Sequence, residues 1–328
     1  FALLQGVRRF GIRLPLLTNP AIDFSGLAGE RKSALLEALR ESVGAGLPAW
    51  TPLPRSLTAE ERFTRAKAWM AEHGLDYPVI LKPDVAQRGS GLRKVAGDER
   101  LRHDLEHGHY DQLLQEYVDL PAEYGVSWRR EPGAAHGTIT GITRKDFPKV
   151  VGDGRRTLEQ LVLKHPRQRL WAQIILRRLG AREFDKPAKG VVVQLAAAGN
   201  HAQGTTFRDG SQLATEALRA RLEDWLAGLG DGFHIGRFDL RARGDAALQA
   251  GEGLRLIELN GVAGEPTHAY DPTRNPLASL RILCAHWGDA FRIGALMRRR
   301  GARPPRWRAV VRAMFQAWRE QRRHLPAD

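Results

Sequence analysis

Apolar positions along this chain recur with two different periods, and the period switches at short polar or glycine-containing breaks. Phe63, Ala66, Trp69 and Met70 fall on one face of a helical repeat. Thr58 precedes them with Glu61 three residues on, a capping-box pattern, so a helix is predicted over 58–73 with Gly74 as its stop. An earlier helix is predicted over 29–41. The runs 77–82 and 113–118 are apolar but short, and read as buried strands. Further strands are expected over 124–130 and 136–144, on either side of a Pro132-Gly133 turn. Thr157 and Gln160 repeat the capping pattern before another helix. A strand over 191–195 leads into Gly199-Asn200 and a polar loop reaching residue 210. A helix over 213–229 follows, then strands over 233–243 and 254–260 around a glycine-rich connection. Asn275 and Pro276 open a long helix to residue 299, with proline at the first helical position. Pro304-Pro305 separates it from a last helix. This mixture predicts an α+β protein rather than a sandwich or a bundle.

The late strands carry the first chemical signal. Residues two apart on a strand share a face, so Arg237 points with Asp239, and Glu258 with Asn260. Paired, the two strands would gather two carboxylates, an amide and a guanidinium. Mg²⁺ takes such hard oxygen donors, with water and phosphates completing its octahedron. Arg237 can neutralise a transferring phosphoryl group. Glu258 and Asn260 run into Gly261 and Gly264, where backbone amides can approach an anion. Each pattern taken alone also describes an ordinary polar strand face. Lys82 ends an apolar strand and is followed by a loop holding Arg88, Gly89, Ser90 and Gly91. Glycine amides and a lysine charge suit phosphate oxygens, although most short glycine loops after strands are plain turns. The loop matches neither the Gly-x-x-x-x-Gly-Lys-Ser/Thr nor the Gly-x-Gly-x-x-Gly signature.

Composition narrows the partners. With 328 residues, 42% hydrophobic and 27% charged, the chain has ample core for one large or two medium domains. No stretch reaches the roughly 18 apolar residues of a membrane span. The single cysteine, Cys284, excludes an internal disulfide and fits a reducing, cytoplasmic setting; it lies in an apolar helical run and reads as a buried, inert thiol. The sequence begins at Phe1, and its first residues mix apolar side chains with Arg8, Arg9 and Arg13, too charged for a signal peptide, so it reads as cut from a longer chain. The net charge of +14 calls for an anionic partner: nucleotide phosphate, a membrane surface or nucleic acid. No zinc-finger or RNP-type spacing is present, which disfavours nucleic acid as the primary partner.

Taken in order, the motifs resemble the ATP-grasp superfamily. They are Val79-Ile-Leu-Lys82-Pro and its glycine loop, Leu114-Gln-Glu116-Tyr-Val118, Pro121-Ala-Glu123-Tyr124, Arg144-Lys145, Gly236-Arg-Phe-Asp239 and Leu256-Ile-Glu258-Leu-Asn260-Gly. The resemblance covers about residues 77–272 and looks closest to the D-alanine–D-alanine ligase branch; the stretch 150–158 and the 199–205 loop look like cyanophycin synthetase. It implies two α+β lobes clasping ATP, divided here as a short N-terminal region (1–57), a small lobe (58–120), a large lobe with the metal site (121–275) and basic C-terminal helices (276–328). It implies Lys82 and Lys145 on the ATP phosphates under the 87–91 loop. Glu116, Tyr117 and Val118 would form the adenine hinge, and Glu123 would hold the ribose. Asp239, Glu258 and Asn260 would bind two Mg²⁺ ions, with Mn²⁺ as the alternative. Arg237 would steady the phosphoryl group, and Asn200 would sit near phosphates or substrate. The implied activity joins a carboxylate to an amine through an acyl phosphate, by an enzyme of a type that is often dimeric. An ATP-grasp kinase and a non-catalytic nucleotide-binding module are the competing readings.

The chain departs from that pattern in three places. About 76 residues precede the Lys82 strand where a full ligase has a substrate domain, and the ligases' first phosphate-contacting lysine has no clear counterpart. The family's Asn-Thr-x-Pro-Gly is here Asn260-Gly-Val-Ala-Gly264-Glu265, which sets Glu265 near the phosphates, to repel an acidic substrate or contact an amine. In the last helix, Trp307, Val310, Val311, Met314, Phe315 and Trp318 share one stripe among Arg308, Arg312, Arg319, Arg322 and Arg323. The expected arrangement packs this stripe on the core with the arginines solvated. The alternative lays residues 305–324 on an anionic membrane at its inner face.

Overall fold

The computed structural model describes residues 11–87, 89–196, 199–200, 203–325 and 327. Its first sheet forms where short apolar strands can be covered by amphipathic helices. Strands β1 (Trp50–Leu53), β2 (Val79–Pro83), β3 (Arg93–Val95) and β4 (Gln112–Glu116) pair antiparallel in the order β1-β4-β2-β3. Helix α1 (Lys32–Val43) precedes them; α2 (Ala59–Glu72) and α3 (Asp98–His107) lie within this unit. Phe63, Trp69 and Met70 of α2 and Leu101 and Leu105 of α3 are buried with Leu81 and Leu114 in one cluster. The Thr58–Glu61 capping box is formed in both directions, and Gly74 ends the helix at φ +61°.

β1, β3 and α3 were not expected from the pattern. β1 carries Pro52, which an edge strand tolerates, and an edge is where it lies. α3 presents only two leucines to the core. Its buried Asp104 is satisfied by Arg93 Nε at 3.2 Å and Arg100 Nε at 2.9 Å, so its sequence reads as solvated.

The second sheet orders β11 (Arg255–Asn260), β10 (Ile235–Ala242), β5 (Ala122–Arg129), β6 (Thr138–Asp146) and β9 (Thr206–Asp209), all antiparallel. β9 lies inside the stretch expected to be loop. It is a four-residue edge strand with three polar residues, and pairing with β6 defines it rather than hydrophobic alternation. One sheet face puts Tyr124, Val126, Trp128, Phe238 and Leu240 into the main core, covered by α1, α6 (Glu216–Leu226) and α7 (Asp245–Ala250). The opposite face carries Glu123, Lys145, Arg237, Asp239 and Arg241.

A small satellite unit joins β7 (Lys149–Val151) to β8 (Val192–Gln194) over α4 (Leu158–Lys164) and α5 (Ala172–Leu179), with its own core and the Thr157–Gln160 capping box formed. Helices α8 (Pro276–Arg299) and α9 (Trp307–Gln321) complete the chain. α8 packs on residues 14–17 through Leu14, Phe291 and Ile293. Cys284 on α8 is half-buried, not fully buried as expected. The core-packed arrangement expected for α9 is also corrected. Val310 alone of its six stripe residues is buried, because Ala313 and Ala317, not the large side chains, turn towards the body. No described helix is long and apolar enough to cross a membrane.

Candidate active site

The polar face of the five-stranded sheet is built by strand alternation and register. Asp239 stands opposite Glu258, and Arg237 opposite Asn260, across the β10–β11 pair. On the other side of β10, Arg241 stands opposite Glu123 of β5, which in turn faces Lys145 of β6. Gly125 is the residue across from Asp239. A Cβ there would come within 3.0 Å of the Arg237 side chain and 3.2 Å of the Asp239 carboxylate, so its absence leaves room for both to lie over the strand.

The charges interlock. Lys145 Nζ donates to Glu123 Oε1 at 2.9 Å and to Asp239 Oδ1 at 3.0 Å. Arg237 makes a two-pronged contact to both Asp239 oxygens, each at 3.0 Å, and its third nitrogen donates to the Glu265 carbonyl at 2.8 Å. Asn260 Nδ2 reaches Asp239 Oδ2 at 3.0 Å. Arg241 donates to Glu123 Oε2 at 3.1 Å and to the Val118 carbonyl at 2.7 Å. Burial alone would raise the Asp239 carboxyl, but Arg237 and Lys145 outweigh it and hold Asp239 well below the usual carboxylate range. Burial would likewise lower Lys145 and Arg237, yet Asp239 and its acidic neighbours keep both cations raised.

A cleft of about 710 Å³ separates this face from the four-stranded sheet. Lys82 enters it from β2, buried, with Gln115 Oε1 as its partner at 2.8 Å. Burial pulls its ammonium down to about 8, against the opposing pull of Glu258. The linked free energy therefore weakens the fold as pH falls from 10.5 through about 8. Lys82→Met is expected to gain about 1 kcal/mol relative to the parent between pH 9 and pH 6, read from urea midpoints at the two pH values.

The structure brings most of the expected site residues to this cleft. Glu116, Tyr117, Val118, Glu123, Lys145, Asn200, Arg237, Asp239, Glu258 and Asn260 all line it, as does Gly89. Gly89 and Asn200 meet across it: a Cβ on Gly89 would lie 2.6 Å from Asn200 Nδ2, and φ there is +72°. Ser90 and Gly91 turn away towards His324, whose Nδ1 is 3.1 Å from Ser90 Oγ. Arg88 lies outside the described residues. The Glu116 side chain accepts from Ala49 N at 3.0 Å and Arg255 Nη2 at 2.6 Å, so it ties β1 and β11 together.

Lys32, Glu30, Arg241 and Gln115 were not singled out from the sequence. Lys32 Nζ lies 3.3 Å from Glu258 and donates to the Ala86 carbonyl at 2.7 Å. Nothing in the α1 pattern marks it. Its placement comes from Asp84 at the end of β2, which accepts from Ser33 N at 2.7 Å and thereby caps α1 over the cleft. Glu30, beside Lys32 and Glu258, is pushed up to about 7, chiefly by burial.

No family model matches this sequence, and no curated protein does. Among solved structures, the chain is similar to a bifunctional glutathione synthetase from Pasteurella multocida, at 18% identity over 78% of this chain and 35% of that one, with a TM-score of 0.38. It is similar to D-alanine–D-alanine ligase from Bacillus anthracis at 13% identity, over 85% of this chain and 72% of that one, TM-score 0.46. It is also similar to a biotin carboxylase–β,γ-ATP complex from Campylobacter jejuni at 14% identity, over 88% of this chain and 50% of that one, TM-score 0.42. Every TM-score is below 0.5, and the chain spans between 35% and 72% of the length of these structures.

Proposed function

We propose that the chain is an ATP-dependent carboxylate–amine ligase acting through an acyl phosphate. The observation that carries this reading is the facing of two cation sets across one cleft: Lys82 from one sheet, and Lys145, Arg237 and Arg241 from the other, around the paired acids Asp239 and Glu258. A polyphosphate has the charge and length to bridge them. The buried Gln115 Nε2 has no partner among the described residues, and a phosphate oxygen beside Lys82 would supply one. Adenine fits the apolar wall of Ile80, Val118 and Ile257 beside the 116–118 segment, and Glu123 and Arg241 close that end.

The donor set also fits Mg²⁺. Two carboxylates and an amide occupy adjacent strand positions, and Glu258, with 34% of its side chain exposed, is ion-paired among the described residues only with Lys32. Mg²⁺ binds one or two carboxylates and completes its shell from phosphates and water. Asp239, Glu258 and Asn260 would hold it, and it would neutralise charge on the phosphoryl oxygens.

In the proposed reaction a substrate carboxylate oxygen attacks the γ-phosphorus, the bond to the β-phosphate oxygen breaks, and ADP leaves. An amine nitrogen then attacks the acyl carbon and displaces inorganic phosphate as the amine loses its proton. Arg237, anchored by Asp239 and the Glu265 carbonyl, would face the charge that builds on the transferring group. The Glu265 carboxylate, held by Trp287 Nε1 at 2.8 Å and Tyr270 Oη at 2.9 Å, would meet the incoming amine.

Calorimetry of ATP with and without Mg²⁺ tests the site. Binding is expected to depend on Mg²⁺ and to weaken at least tenfold in Glu258→Ala, a loss of about 1.4 kcal/mol. Phosphate release from ATP that requires both a carboxylate and an amine identifies a ligase; a stable phosphorylated product identifies a kinase instead.

A further inference from the structure

The last helix leaves its large apolar side chains in water. Trp307, Val311, Met314, Phe315 and Trp318 are each about half exposed, and their spacing makes one continuous strip along α9. The helix is held to the body by its small side: Ala313 approaches Gly29, and Ala317 and Glu320 border a cavity shared with Asp84 and Tyr110. Beyond its end, His324 is wedged against Tyr110, with ring centroids 4.6 Å apart. The helix is thus fixed in place with Trp307, Val311 and Phe315 turned outward and Met314 and Trp318 at the rim of the cleft.

The strip is flanked by Arg308, Arg312, Arg319, Arg322 and Arg323, all exposed; Arg322 covers the Trp318 ring at 4.0 Å. Glu320 is the one acid between residues 305 and 324. Charge complementarity selects an anionic partner, and the strip requires that partner to offer apolar depth beside its charge. A bilayer with anionic headgroups supplies both along the length of a helix.

We propose that α9 is a docking surface for an anionic lipid bilayer, lying in the membrane plane with Trp307, Val311 and Phe315 inserted and the arginines among the headgroups. Met314 and Trp318 also line the cleft, so docking sets the mouth of the cleft at the membrane surface. This goes beyond the ligase reading and does not depend on it, because its test reads lipid binding alone.

The test is flotation of the whole chain with vesicles of phosphatidylcholine alone or mixed with phosphatidylglycerol. The chain is expected to float with the mixed vesicles, to release in high salt, and to stay down with phosphatidylcholine. Val311→Asp with Phe315→Asp should abolish flotation. Arg308→Glu with Arg312→Glu should weaken it at least twenty-fivefold, about fivefold for each arginine charge removed. None of these residues lines the cleft, and circular dichroism with thermal unfolding confirms that the variants fold. Equal binding to both vesicle types, no binding to either, or binding unchanged in the folded variants would overturn the proposal. So would a dimer that Val311→Asp with Phe315→Asp splits, since the strip would then belong to a second copy.

Discussion

Asp239→Asn is expected to cost about 3–5 kcal/mol of folding stability, the range for breaking a buried ion pair from one side. The Asp239 side chain is 8% exposed and answers Arg237, Lys145 and Asn260 at once. An amide at that position carries no charge and only one acceptor oxygen, so Arg237 and Lys145 lose their neutralising partner and part of its hydrogen bonding, while Arg237 keeps the Glu265 carbonyl and Lys145 keeps Glu123. Glu258→Gln removes the facing carboxylate of the same strand pair, but that carboxylate is 34% exposed and 3.3 Å from its cation. Its expected cost is below about 1 kcal/mol. Urea unfolding of the two variants side by side reads the difference. The pH dependence follows from the depressed Asp239 carboxyl: its contribution is complete above 3.8 and disappears only as pH falls below that value. The gap between Asp239→Asn and the parent should therefore stay constant from pH 5 to pH 8. Equal costs for the two variants would mean that the cluster is solvated and that Asp239 does not anchor it.

The contrast between these two carboxylates could not be read from the sequence, although their proximity could. Alternation along β10 and β11 put Arg237 with Asp239, and Glu258 with Asn260, because strand geometry is local. Which acid is buried under cations and which opens to the cleft depends on Lys145 arriving from β6 and on Gly125 leaving space in β5. Those are pairings over more than 90 residues, and no local pattern encodes them. The same division holds elsewhere. The capping boxes at Thr58 and Thr157 and the proline-initiated α8 are written in adjacent residues and form as expected. β1, β3 and β9 are short, polar or proline-bearing, and are strands only because a neighbour pairs with them. Lys32 is the clearest case at the site: no spacing announces it, yet Asp84, from the end of a strand some fifty residues later, caps α1 and sets its side chain beside Glu258.

Glu30 is an acid that the cleft places where phosphates are proposed to bind. Burial is the main cause of its raised pKa, Lys32 opposes the shift, and Glu258 adds to it. With the folded value near 7 and the unfolded value at 4.5, the native protein holds a proton that the unfolded chain has given up. The group's contribution is fully present below pH 4.5 and is lost as pH rises through about 7. Glu30→Gln cannot ionise and escapes that loss. It should match the parent near pH 4.5 and exceed it by up to about 3 kcal/mol at pH 8, as read from urea midpoints across that range. The sign also matters for binding. A carboxyl that stays largely neutral below pH 7 spares a nucleotide phosphate the repulsion of a second acid beside Glu258, and a bound phosphate raises Glu30 further. ATP binding to the parent should therefore take up a proton near pH 7.5, visible as a dependence of the calorimetric enthalpy on buffer ionisation heat, and Glu30→Gln should abolish that uptake. A stability difference that does not change with pH would place Glu30 in contact with solvent and remove it from the phosphate end of the cleft.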